Sequence, residues 1–119
     1  MDIKDINIKD INFKKLAIDI GFSYLNGGYG YWENGQSKLH SYDSMDNNYL
    51  DNCIKFVDKG INEIKSNEYG ITNDVKNHLL KMMNEEPSEK DIKYAKKQIL
   101  EILKEKKKEL KEYRKRRKS

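Results

Sequence analysis

The residue types that most often carry chemistry are sparse in this chain of 119 residues: one cysteine, Cys53, and two histidines, His40 and His78. They fall in three separate segments, without the paired spacing that a zinc site needs, so no metal is expected. Cys53 sits beside the apolar face of a helical pattern and is expected to be a buried structural thiol rather than a nucleophile. A single cysteine excludes an internal disulfide and suits a reducing compartment. His78 adjoins Leu79 and is expected at or near the surface. Asp19, Asp43, Asp46 and Asp51 form no spaced pair suited to general acid–base work. No serine stands in a nucleophile-elbow context. These features point away from an enzyme, and no cofactor is implied.

Binding chemistry has more material. The run Asn26-Gly27-Gly28-Tyr29-Gly30 has the glycine content of a phosphate-binding loop. Such a loop needs a strand before it, a helix after it and, for nucleoside triphosphates, a Gly-Lys-Ser/Thr ending. Here it is expected to be a hairpin turn between two strands. Aromatics exceed what a small core requires: Tyr24, Tyr29, Tyr31, Trp32, Tyr42, Tyr49 and Tyr69. Exposed strand aromatics stack on bases or anchor a protein partner, which makes Tyr29, Tyr31 and Trp32 candidate binding residues. Lys38 is the one basic residue expected on those strands, which argues against an RNA-binding sheet. The strongest charge feature is the segment 104–118, with ten Lys or Arg against three Glu, a net +7 that leaves −3 on the remainder. Lys111, Arg114, Lys115, Arg116, Arg117 and Lys118 are its candidate phosphate-neutralising groups. The competing reading is a solvated helix end, with cations favoured by the helix dipole.

These residues need elements to position them. Hydrophobic residues make up 36% of the chain and charged residues 37%, so one domain with a small core is expected. No stretch approaches the roughly 20 apolar residues of a membrane helix. The polar, acidic beginning does not resemble a signal peptide, so a cytoplasmic protein is expected. Residues 1–13 contain the repeat Ile3-Lys4-Asp5-Ile6-Asn7, Ile8-Lys9-Asp10-Ile11-Asn12 and are expected to be a low-complexity segment.

The segment from Phe13 to Leu25 is ambiguous. Phe13, Leu16, Ala17 and Ile20 fit a helix, whereas Ile18, Ile20, Phe22 and Tyr24 fit strict alternation. Gly21 argues against a helix interior, so a strand over 17–25 is expected, with a helical turn before it. Strands over 29–33 and 37–42 complete a three-stranded antiparallel meander, the last two joined at Asn34-Gly35 by a primed turn. Leu50, Ile54, Val57, Ile61 and Ile64 then recur at spacings of four, three, four and three, which predicts a helix capped by Ser44 or Asp46. Gly60 could end it, but the register continues beyond. Thr72 or Asn73 is expected to cap a further helix bearing Val75, Leu79, Met82 and Met83. Pro87 follows it, and Ser88 with Asp91 makes a capping box for the last helix. Ile92, Ala95, Ile99, Ile102 or Leu103, Lys106, Leu110 and Tyr113 follow a seven-residue repeat, and its first part, Ile92, Ala95, Ile99 and Ile102, forms a seam that would also allow a homodimer. From Lys104 onward the helix is expected to project into solvent or fray.

Trp32, Gly35 and the run Met45-Asp46-Asn47-Asn48-Tyr49-Leu50-Asp51-Asn52-Cys53-Ile54 resemble a pattern in small uncharacterised proteins of phages and mobile elements. Those carry Trp, a short loop with Gly, a polar strand, then Met, three residues, His-Leu, one residue, Asn, one residue and Ile. Here Tyr49 stands where His is usual, the Trp-to-Gly loop is shorter, and the Gly-to-Met interval is longer. The resemblance implies a mobile-element origin and attaches no chemistry to any residue.

The expectation is an α+β protein: a small three-stranded meander, a domain over 14–103 with three helices, and a basic helical tail over 104–119. Its expected role is a non-enzymatic binding protein that inhibits or sequesters a component of a host defence system. The target would be a host protein, a nucleotide or a nucleoprotein in the host cytoplasm. A nucleic-acid-binding accessory protein acting through the tail is the alternative.

Overall fold

The computed structural model describes residues 7–66 and 69–117. The first part of the N-terminal repeat and Lys118 lie outside the described residues. The element order is α1 (Phe13–Asp19), β1 (Tyr31–Glu33), β2 (Leu39–Ser41), α2 (Asn47–Lys65), α3 (Tyr69–Met83) and α4 (Glu89–Arg116), with short 3-10 turns before α1, before β1 and before α2. The two strands pair antiparallel, Trp32 opposite His40. Among the described residues, four helices and a two-stranded ribbon replace the expected meander and three helices.

The error lies in 17–25. Asn12 accepts a hydrogen bond from the Lys15 amide at 3.1 Å and starts α1, which puts Leu16 and Ala17 in the core. The alternation of Ile18, Ile20, Phe22 and Tyr24 is accidental: the first two end a helix, Phe22 precedes a 3-10 turn over Ser23–Gly27 and Tyr24 lies within it. Gly21, with φ +129°, is the breaker between these pieces rather than a strand residue. Local alternation lost to a helical face that α3 and α4 cover.

The ribbon differs at its turn. Neither Asn34 nor Gly35 has positive φ; Ser37 does, at 61°. The Ser37 amide donates to the Asn34 carbonyl at 3.0 Å, and the Asn34 amide to the Lys38 carbonyl at 2.9 Å. This is a three-residue loop closed by a left-handed residue. The Asn34 side chain holds it by accepting from the Gln36 and Lys38 amides at 2.9 and 3.0 Å.

Helix α2 behaves as its spacing predicts. Asp46 caps it, accepting from the Tyr49 amide at 2.8 Å, and it continues through Gly60. A Cβ at Gly60 would lie 2.8 Å from a Phe22 ring carbon and 3.1 Å from the Tyr24 hydroxyl, so the glycine lets the 3-10 turn close on the helix. Helix α3 starts at Tyr69, earlier than Thr72 or Asn73. The capping box of Ser88 and Asp91 is present, with both bonds at 3.1 Å.

Helix α4 is the spine. It packs along α2 and also meets α1 and α3. Its seam faces inward: Ala95, Ile99 and Leu103 are fully buried, and Leu110 is as well. Of the seam considered for a homodimer, Ala95 and Ile99 lie in the chain's own core, and Ile92 and Ile102 are partly buried against it. The segment from Lys104 does not project; its buried residues continue the packed face to Leu110.

Trp32 is 5% exposed. Its ring stacks on Tyr24 and meets Phe56 of α2 edge-on. Its contact with α2 therefore runs through Phe56, a residue outside the apolar face of Leu50, Ile54 and Val57. Trp32→Ala is expected to cost about 3–5 kcal/mol in urea unfolding; an unchanged midpoint would contradict this placement.

Candidate anion-binding groove beside a buried ion pair

Position 106 organises the end of α4. Lys106 is 4% exposed, yet its ammonium has partners on several sides. It donates to the carbonyls of Gly28 at 3.0 Å and Tyr31 at 2.6 Å, and to Glu109 Oε1 at 3.3 Å. The same carboxylate oxygen accepts from the Gly30 amide at 2.8 Å and from the Tyr42 hydroxyl. Gly28 and Gly30 have φ of 76° and 84°, which turns these backbone groups toward α4. The glycine run is thus neither a hairpin turn between strands nor a cradle for phosphate. It holds a lysine and a glutamate of its own chain.

Burial lowers the Lys106 pKa against the opposing pull of Glu109. Burial raises the Tyr42 pKa, reinforced by its bond to Glu109. Both shifts favour the neutral forms.

The basic groups beyond Lys106 have unequal roles. Arg114 Nε pairs with Asp51 of α2 at 3.0 Å. Arg117 donates to the carbonyls of Met45 and, at 3.0 Å, Tyr42, and lies over the Tyr113 ring at 5.2 Å. These two arginines anchor the helix end. Arg116 is exposed and lines a groove with Tyr29, Tyr31 and Tyr113. Tyr29 and Tyr31 are 74% and 43% exposed, so they stay available to a partner, whereas Trp32 belongs to the core.

Lys111 and Lys115 point to the opposite flank of α4. There, with Lys104, Lys107 and Lys108 and with Lys65 of α2, they line a groove of about 560 Å³ over Ile61. The α4 lysines fall at 104, 107, 108, 111 and 115, one helical face about 16 Å long at 1.5 Å per residue. Six lysines face two acids, Asp58 and Glu112. Lys107 is bonded to Asp58 at 2.6 Å. That bond, followed by the fields of Lys111 and Lys65, holds the Asp58 carboxyl below the usual carboxylate range. Of these lysines only Lys111 and Lys115 were candidates on sequence. The others were legible as a period, but like-charge spacing was masked by interspersed Glu105, Glu109 and Glu112.

Among the described residues no group of three His, Cys, Asp or Glu side chains is placed to hold a metal ion. None of their helices is long and apolar enough to cross a membrane. Cys53 is buried, and burial pushes its thiol up to about 12. Comparison with protein-family models, curated proteins and solved structures returned no match.

Lys106→Met should cost roughly 3–5 kcal/mol, because it leaves Glu109 and two carbonyls buried without their ammonium. A double-mutant cycle with Glu109→Gln should be strongly non-additive, and additive losses would refute the coupling.

Stability should also fall as pH rises above about 9. Cys53 titrates near 9.0 when unfolded and at about 12 when folded, so over that range the native state holds the proton that the unfolded chain releases. Tyr24 and Tyr42, raised chiefly by burial, act in the same direction above 10, while the lowered pKa of Lys106 opposes them. Cys53→Ala should flatten the decline between pH 9 and 12 in denaturant midpoints; an identical slope would show that the thiol does not contribute.

Proposed function

We propose that the protein is a non-enzymatic binding protein that engages the phosphate backbone of a nucleic acid through the groove between α2 and α4. The observation that carries this is the row of five α4 lysines facing Lys65, with two acids among them. Ammonium groups on flexible stems neutralise phosphates as point charges without reading bases, so binding is expected to be sequence-tolerant. The groove is part of a packed helix pair, so its lysines are presented on a fixed frame rather than a fraying tail. The reading fits an accessory role in a cytoplasm that holds nucleic acid.

A second reading, an inhibitor that sequesters a component of a host defence system, has a separate support. Tyr29, Tyr31 and Leu39 are exposed at 74%, 43% and 53%. Exposed tyrosines beside Arg116 have the composition of an interface anchor. The resemblance to phage and mobile-element proteins points the same way.

The two readings separate by salt. Changing Lys104, Lys108, Lys111 and Lys115 to Gln should lower the log–log salt slope of duplex binding by about 3–4 units, at roughly 0.9 per phosphate contact. Tyr29→Ala with Tyr31→Ala should leave it unchanged. If the intact chain shows no salt-dependent affinity for DNA or RNA, and the tyrosine pair instead abolishes capture of a protein, the nucleic-acid reading fails.

A further inference from the structure

The composition of the lysine groove also restricts which form of nucleic acid suits it, an inference that rests on the phosphate-binding reading above. At about 100° per residue, the α4 lysines at 104, 107, 108, 111 and 115 fall within an arc of about 100°. They therefore form a straight stripe along the helix rather than a spiral around it. Lys65 of α2 stands on the other wall, with Ile61 between, and after Asp58 and Glu112 are counted the lining carries a net charge of +4. Among the described residues lining the groove none is aromatic, and Asn62 is the one uncharged polar side chain. The exposed rings lie elsewhere. Tyr29 and Tyr31 stand with Arg116 in the groove on the opposite flank of α4, and Phe56 meets Tyr24 and Trp32 edge-on.

Single strands and duplexes make different demands on a protein. A site for single strands stacks unpaired bases on aromatic rings while a basic groove follows the backbone. The groove between α2 and α4 supplies only the second of these. In a duplex the bases already stack and pair with one another, so a purely electrostatic site gives up nothing by ignoring them. Charge density acts in the same direction. A duplex carries one charge per about 1.7 Å of its axis, against about 3.4 Å for either of its strands, so a stripe about 16 Å long meets roughly twice as many phosphates.

We propose that the groove selects double-stranded over single-stranded nucleic acid, with one strand's backbone along the α4 stripe and Lys65 reaching phosphates from the α2 wall. Duplex DNA and duplex RNA present the same phosphate chemistry to it.

The full chain is titrated, by fluorescence anisotropy at about 100 mM salt, with labelled duplexes of roughly 20 base pairs and with their separate strands, in DNA and in RNA of one sequence. The tighter of the two duplexes should bind about tenfold more tightly than its strands, and which one it is assigns DNA or RNA. Changing Lys104, Lys108, Lys111 and Lys115 to Gln should keep the helical circular dichroism and reduce that preference to about twofold or less. Tyr29→Ala with Tyr31→Ala should leave it unchanged. Single strands bound as tightly as both duplexes would overturn the proposal while leaving a phosphate-binding groove in place. So would a duplex preference that the four glutamines do not reduce. Failure of the intact chain to bind any of these probes would instead overturn the phosphate-binding reading, and the proposal with it.

Discussion

A charged amine removed from water is costly unless its surroundings replace the lost hydration, and Lys106 is held on those terms. Two backbone carbonyls and a carboxylate supply the replacement, and that requirement fixes more than one side chain. The carbonyls come from the loop that leads into β1 and from the first residue of that strand, so the loop must lie against α4. Once it does, the ribbon follows and Trp32 is delivered to Tyr24. The carboxylate also engages Tyr42, just beyond β2, so both ends of the ribbon are tied to one turn of helix. The rotation of α4 about its axis is set at the same time. With Lys106 and Leu110 inward, the lysines at 104, 107, 108, 111 and 115 lie along the flank that faces α2.

Much of the helical frame was legible because it depends on a strong, long-range period. The five apolar residues of α2 and the Ser88 capping box are signals that neighbouring structure does not reverse. The segment 17–25 was a different case. Its helical and alternating patterns share Ile20, and nine residues are too few for either period to dominate. What decided it was the availability of α3 and α4 to cover Leu16 and Ala17, which no local window contains. The turn at Asn34-Gly35 failed for a related reason: the asparagine side chain captured two amides and moved the left-handed residue on to Ser37.

The charged segment shows the limit of composition most clearly. Fifteen residues with a net charge of +7 look uniform when counted, but the helix distributes them to distinct environments. Lys106 enters the core, Arg114 and Arg117 close on α2 and on backbone carbonyls, Arg116 joins the exposed tyrosines, and Lys104, Lys107, Lys108, Lys111 and Lys115 form the groove. The seven-residue repeat carries Lys106 on the seam, but burying a lysine among carbonyls leaves no trace in hydropathy, so its pairing with Glu109 was not legible in the sequence. The glycine run did carry a signal of close backbone approach. The approaching group proved to be the chain's own.

The bonds that hold the loop of residues 28–31 in place span 75 to 79 positions of the chain. At ordinary elongation rates the loop is therefore made on the order of ten seconds before the residues that hold it. Throughout that interval the tyrosine-rich ribbon has no Lys106 and no Glu109 to close against. A nascent chain in that state offers its aromatic residues to chaperones or to other chains. Pausing of translation within α4 would lengthen that exposure, whereas pausing before the ribbon would not.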